Sequence, residues 1–313
     1  MPLFVDSPAW QALRQAPLGQ KSVWLAQALG LSTVWLVSAA LSPDRASAAG
    51  RWLMERLGPR QPRTLKIKRN LRYAFPDRNE DQIEALARET WGNFGAVMAE
   101  YPHLGVIRKS RHPQRIETVI KGDIEAFQKP NTPAIFVTAH IGNWELAAGF
   151  IVDRGIPLSV IHSEQSNPLV LSLLQRKREM LGCDFVAKEA GVRPLIRLLE
   201  KGTSIGLLAD VKIPTGEPLP FFGRDALTTV TPARLALKFN CELVPVQVER
   251  LHQAHFRITF HPPILPDDPT GDRQTQTLQM TRKINALYES WIHARPGQWW
   301  CAKNRWPKIR RPG

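Results

Sequence analysis

The chain has 313 residues, 42 Lys+Arg against 28 Asp+Glu, and a formal net charge of +14. That length supports one large domain or two smaller ones with ample core, and the charge calls for an anionic partner: nucleic acid, an acidic lipid surface or an acidic protein. Cys183, Cys241 and Cys301 are isolated, without Cys-x-x-Cys pairing, which excludes a disulfide framework and structural zinc and indicates a reduced compartment.

Residues 22–41 contain no charged side chain and have the length of a bilayer-crossing helix. Gln27, Ser32, Thr33 and Ser38 temper their apolarity, so a buried or in-plane helix competes with a spanning one, and membrane attachment is the reading adopted. Ala46-Ser47-Ala48 resembles a signal cleavage site, but Pro43-Asp44-Arg45 interrupts the approach and the preceding residues make a poor n-region. Arg45, Arg51, Arg56, Arg60, Arg63, Lys66, Lys68 and Arg69 follow the apolar segment, against Arg14 and Lys21 before it. The positive-inside rule then puts the body in the cytoplasm. The expected division is a membrane-associated helical region over 1–44 and a single domain over 45–313, with 45–70 a basic, proline-punctuated connector.

Residues 79–99 have helical periodicity (Ile83, Leu86, Ala87, Thr90, Trp91, Phe94) behind an acidic start. From about residue 115 strand-like and helix-like segments alternate. Strands are predicted at 116–120, 134–138, 158–161, 204–208, 243–248 and 256–260. Helices are predicted at 143–152, 168–181, 192–200, 232–239 and 273–294. The alternation predicts an α/β fold with a largely parallel central sheet flanked by helices, preceded by the N-terminal helical attachment region. No repeat or low-complexity tract interrupts it.

The densest chemistry is His140-Ile141-Gly142-Asn143-Trp144-Glu145, directly after the apolar run 134–138. Five positions along a helix turn the two side chains about 140° apart, so a bend must bring them together. With His140 in the strand-to-helix turn and Glu145 in the first helical turn, the carboxylate can reach back to one imidazole nitrogen and leave the other to accept a hydroxyl proton. The plain alternative is a loop histidine beside a glutamate that complements the helix dipole. Asp210 follows a second strand, 204–208, so it is a predicted neighbour of His140, with a solvated turn acid as its alternative. Gly202-Thr203-Ser204-Ile205-Gly206 imitates a serine-hydrolase elbow, but a helix precedes it and a strand follows, the reverse of what the elbow needs. His252-x-x-His255 lies in a β-like segment and reads as a surface strand pair before a metal site, so no metal is expected.

The motifs flanking His140 carry a resemblance. Arg69-Asn70-Leu71, Phe75-Pro76, Trp91-x-Asn93-x-Gly95 with Glu100, Asn167-Pro168, Arg176-Lys177-Arg178, Leu208-Ala209-Asp210, Pro220-Phe221-Phe222-Gly223, Thr228-Thr229, Pro232-Ala233-Arg234-Leu235-Ala236, Pro296-x-Gln298-Trp299 and Arg305-Trp306 occur in that order. From about residue 66 to 306 the chain resembles the late acyltransferases of lipid A biosynthesis, the lauroyl and myristoyl transferases. The resemblance implies a membrane-bound enzyme at the cytoplasmic face of the inner membrane. It would move a fatty acyl chain from an acyl-carrier-protein thioester, or acyl-CoA, to a hydroxyl of an anionic glycolipid precursor, without a cofactor.

In that reading His140 is the general base and Glu145 orients it. Asn143, by its amide or with the Gly142–Asn143 backbone, is a candidate oxyanion donor. Arg178, with Arg176 nearby, matches a phosphate-binding position, and Asp210 matches a polar-network position. Phe221-Phe222 and the tryptophans are candidates for an acyl groove, with core packing the more ordinary role.

The chain departs from the pattern at two places. His162-Ser163-Glu164 stands where relatives carry an arginine, and Cys301-Ala302-Lys303-Asn304-Arg305 replaces Trp-x-His-Arg-Arg. Both departures bear on acceptor and chain length. A sister enzyme acting on a phosphatidylinositol mannoside or aminolipid is the alternative. A non-catalytic basic protein binding membrane or nucleic acid is a remoter one, since no RNA-binding signature accompanies the charge.

Overall fold

A computed structural model describes residues 16–110, 114–129, 131–163 and 166–306. Its centre is a seven-stranded sheet of order β1-β9-β8-β2-β5-β3-β4. The strands are β1 (Ile116–Ile120), β2 (Ile135–Thr138), β3 (Leu158–His162), β4 (Asp184–Ala187), β5 (Ser204–Leu208), β8 (Leu243–His252) and β9 (His255–Phe260). β8, β2, β5, β3 and β4 run parallel, and the β8–β9 hairpin reverses direction so that β1 pairs parallel to β9. The predicted α/β class and largely parallel sheet are therefore what the chain forms.

Both faces of the sheet are covered. Ile135 and Val137 of β2 enter one hydrophobic cluster, while Ala134 and Phe136 enter the other. This is the two-residue period of a strand buried on both sides. Helix α6 (Glu145–Val152) packs in the second cluster with Phe136 and Phe260. α8 (Arg193–Glu200), α9 (Thr231–Phe239) and α10 (Arg273–Ala294) cover the first, where Leu199, Leu235, Ile284 and Tyr288 lie buried. Each such aliphatic or aromatic side chain contributes roughly 1.5–3 kcal/mol when removed from water.

The described residues before the sheet form helices: α1 (Leu18–Ala39), α2 (Pro43–Leu57), α3 (Thr64–Ala74), α4 (Glu80–Glu100) and short α5 (Leu104–Lys109). α4 begins with a capping box, Asn79 and Gln82 bonding each other's backbone N–H groups. The expected connector over 45–70 is corrected here. α2 and α3 occupy it, and Ala46-Ser47 lies buried inside α2. The missed signal has a physical cause, because α2 meets α4 through small residues and not through an apolar stripe. A Cβ on Gly50 would collide with the Gly95 carbonyl, and one on Gly58 with the Trp91 ring.

Two strand features also escaped the pattern. β4 is a half-exposed edge strand without clean alternation. β6 (Glu217–Phe221) and β7 (Arg224–Thr228) form a separate hairpin in which Pro218 and Pro220 weaken the strand signal. Phe222 and Gly223, at φ +52° and +68°, close it in the left-handed region that a two-residue turn requires. α1 is apolar and long enough to cross a membrane by length and composition.

Candidate active site

Thr138 of β2 pairs with Leu208 of β5, so the residues two positions beyond each strand end emerge side by side. Those residues are His140 and Asp210. Nδ1 of His140 lies 2.7 Å from Asp210 Oδ1, and the Trp299 indole N–H donates to Asp210 Oδ2 at 3.0 Å. Asp210 is fully enclosed, whereas about a quarter of the His140 side chain (24%) remains open. Burial pushes the Asp210 carboxyl up, but the His140 charge and the hydrogen bonds from His140 and Trp299 outweigh it and hold it below its ordinary value. Asp210 is thus a buried carboxylate holding an imidazole, and not a solvated turn acid.

Glu145 does something else, and its expected role is corrected. It accepts two bonds from Arg178, Nε at 2.9 Å and Nη2 at 2.6 Å, plus Tyr101 Oη at 2.8 Å and Trp144 Nε1 at 3.2 Å. Burial raises its carboxyl, yet the Arg178 charge and these donors bring it below the ordinary range. The reason is geometric. As the first residue of α6, Glu145 points into the space between α4 and α7 (Pro168–Arg178), where Arg178 ends the latter helix. Arg178 is therefore half of a buried ion pair. Arg176, two residues back, is exposed. The Phe185 ring, 5.4 Å from the Arg178 guanidinium, further fixes Arg178.

The turn joining the two groups is pinned from below. Gly142 has φ +61°, and a Cβ there would stand 2.5 Å from the Val248 carbonyl oxygen. Its own carbonyl accepts from Asn93 Nδ2 at 2.9 Å. Asn143, expected as an oxyanion donor, is buried with its amide donating to Glu100 Oε2 at 2.8 Å and its Oδ1 accepting from the Glu145 backbone at 3.3 Å. The Asn143 side chain thus belongs to the turn's framework. Arg250 completes that framework, bonding Glu100 and donating from Nε to Asn93 Oδ1 at 2.8 Å.

Residues 298–305 brace the turn that carries His140. Trp300 N donates to the His140 carbonyl at 2.8 Å, and Ile141 bridges to Trp299. Gln298 exchanges hydrogen bonds with the Arg250 backbone at 2.9 and 2.7 Å. Asn70 of α3 holds the Cys301 and Lys303 carbonyls, and Arg305 is buried against Phe221, Thr228 and Asn285. Phe221 is a core residue, while Phe222 is half-buried and stacks near Trp299.

Tyr101, Asn93, Glu100, Arg250 and Trp299 thus all shape the site without a role having been read for them. Three of them, Asn93, Glu100 and Trp299, stand in the motifs already noted. Arg250 lies beside Glu249 in the mixed second half of β8, where no pattern singles it out. Ser204 begins β5, its hydroxyl accepting from Ala134 N at 3.1 Å, as its context required. His252 and His255 stack at 4.4 Å across the β8–β9 turn. Glu164 lies outside the described residues.

The model of the bacterial lipid A biosynthesis acyltransferase family matches residues 18–308. The chain belongs to that family. It is a lipid acyltransferase. It is 25% identical to the lipid A biosynthesis myristoyltransferase of Escherichia coli K12 over 82% of this chain and 78% of that protein. It is 23% identical to the phosphatidylinositol mannoside acyltransferase of Mycobacterium tuberculosis over 82% and 79%. Among solved structures, the 1-acyl-sn-glycerophosphate acyltransferase of Thermotoga maritima aligns with a TM-score of 0.36 and 14% identity, over 75% of this chain and all of that one.

Proposed function

We propose that this acyltransferase moves a fatty acyl group from an acyl thioester, on acyl carrier protein, to a hydroxyl of a lipid A precursor, with His140 as the general base. The observation that carries the reading is the His140–Asp210 contact at 2.7 Å. With Asp210 on Nδ1, Nε2 is left to take the hydroxyl proton. The hydroxyl oxygen attacks the thioester carbonyl, a C–O bond forms, the C–S bond breaks, and the proton held on His140 passes to the departing thiolate. Asp210 stabilises the imidazolium between those transfers. Backbone N–H groups at Gly142–Asn143 are the proposed oxyanion donors.

The basic surface suits an acidic carrier protein and an anionic acceptor. Arg176, exposed beside the site helix, is the proposed phosphate contact, because Arg178 is bound to Glu145. The charge excess after α1 supports a body at the cytoplasmic face of the inner membrane, and no nucleic-acid role is proposed.

His140→Ala is expected to abolish acyl transfer while circular dichroism and membrane association stay unchanged. Near wild-type turnover by that variant would remove the mechanism. A second acceptor is favoured by one observation: identity to the phosphatidylinositol mannoside enzyme nearly equals that to the lipid A enzyme. Labelled acyl-carrier-protein and acyl-CoA donors, offered with a panel of both acceptor types, separate the two readings.

A further inference from the structure

α1 is bound to the body along its length, not at one end. Trp24, Ala28, Leu31, Trp35 and Ser38, spaced as one helical stripe, face inward. Near its start, Asn167 Nδ2 donates to the Trp24 carbonyl at 3.0 Å and bonds Gln27 at 2.9 Å. Further along, the Trp35 indole donates to the Met98 carbonyl at 2.9 Å, its ring stacks on Tyr101 at 5.4 Å, and Lys177 Nζ lies 5.8 Å from it. At the end, His103 Nε2 donates to the Ser38 carbonyl at 2.8 Å. The attachment from Trp24 to Ser38 covers roughly 20 Å of helix axis at 1.5 Å per residue.

A helix crossing a bilayer meets a soluble body at one end only. Were α1 to cross, α7 beside it would carry exposed Arg176 and half-buried Lys177 to hydrocarbon depth, where cationic side chains are costly. Yet the opposite face of α1 is open and apolar: Leu18, Val23, Leu25, Leu29, Leu36 and Val37 are exposed, Leu36 by 75%. α2, three residues after α1, shows Arg45, Trp52 and Arg56 on one exposed stripe, with the Arg56 guanidinium 4.2 Å from the Trp52 ring centre. An uncharged apolar helix face continued by a tryptophan among arginines suits the boundary of an anionic leaflet.

We infer that α1 does not span the membrane but lies in its plane, its exposed face inserted into one leaflet and the α2 arginines on lipid phosphates. This rests on the lipid acyltransferase reading only in naming the lipid as the partner. Because Trp35 stacks on Tyr101, and Tyr101 bonds Glu145, the leaflet then sits one helix away from the catalytic turn. A lipid acceptor reaches His140 sideways from that leaflet.

Two measurements test it on the full chain. Single cysteines are introduced by Gln20→Cys and Ala40→Cys, the parent protein serving as blank for its native thiols. An impermeant maleimide should label both positions in inverted inner-membrane vesicles and neither in intact spheroplasts. Labelling of Gln20→Cys only from the spheroplast side would establish a crossing helix and overturn the inference. In co-sedimentation with phosphatidylethanolamine–phosphatidylglycerol vesicles, Leu29→Glu/Leu36→Glu should lower the bound fraction about tenfold or more. Unchanged binding would remove the leaflet from this face. Neither measurement depends on turnover, so a failure here is distinct from a failure of the acyltransfer mechanism.

Discussion

Asp210 Oδ1 lies 2.7 Å from His140 Nδ1 across a separation of 70 residues, while Glu145, five residues from His140, bonds Arg178. The carboxylate that holds the His140 imidazole therefore comes from the neighbouring strand, and the sequence-adjacent one supports the turn. This division of labour sets separate expectations for the two acids.

Asp210→Asn keeps the shape and a hydrogen bond but favours the wrong imidazole tautomer and cannot stabilise the imidazolium. Turnover should fall about 10³–10⁴-fold, as in other buried acid–histidine pairs, with the thermal midpoint little changed. Steady-state acyl transfer by purified protein reads this directly. Turnover within a few-fold of wild type would mean that another group holds His140.

Glu145 and Arg178 should behave as a structural pair. Removing either partner alone leaves an uncompensated buried charge and should cost about 3–5 kcal/mol of stability. Replacing both, Glu145→Leu with Arg178→Met, should recover much of that loss in denaturant unfolding. A Glu145→Gln variant that keeps full stability yet loses turnover would restore Glu145 to the base-orienting role.

Acidification tests the same carboxylate. The Glu145 carboxyl titrates below its ordinary value of 4.5 in the folded protein, burial opposing the shift and Arg178 with the other donors driving it. Its stabilising contribution is thus fully present above that value and is lost as pH falls through the lower folded value. The thermal midpoint of the wild type should fall steeply with acidification below about pH 4.5. The slope should be shallower in the Glu145→Leu/Arg178→Met protein.

Trp299→Phe removes the indole N–H from Asp210 Oδ2 and keeps an aromatic ring in the cluster with Phe221, Phe222 and Trp306. A hydrogen bond to a charged acceptor contributes about 1.5–3 kcal/mol, so kcat should fall about tenfold or more, with KM little altered. Without that donor the Asp210 carboxyl loses one of the bonds that hold it below its ordinary value, and it becomes protonated at a higher pH. The acid limb of the pH–rate profile should therefore move to higher pH. A stability loss without that displacement would make Trp299 a packing residue only.

Gly142→Ala places a Cβ against the Val248 carbonyl at a positive φ. The turn must shift, at a cost above about 1 kcal/mol. Thermal unfolding and turnover should fall together, because the same turn fixes His140.

The amino-acid sequence by itself determined the α/β class, most strands, the 273–294 helix and the emergence of His140 and Asp210 at strand ends, because those depend on local periodicity and turn order. It also dismissed Ser204, since helix-then-strand order is local. The contact of small faces between α2 and α4 was not legible, because Gly50 and Gly95 carry no apolar signal and matter only when two helices meet. Nor was the partner of His140. Short spacing favoured Glu145, but the choice depended on which carboxylate the register of β2 on β5 delivers to the imidazole. It depended equally on where Arg178 and Tyr101 had already drawn the other. Side-chain neutralisation inside a protein is settled by proximity in space, and only the packed chain brings Asp210, Arg178 and Trp299 within bonding distance of a turn they are far from in sequence.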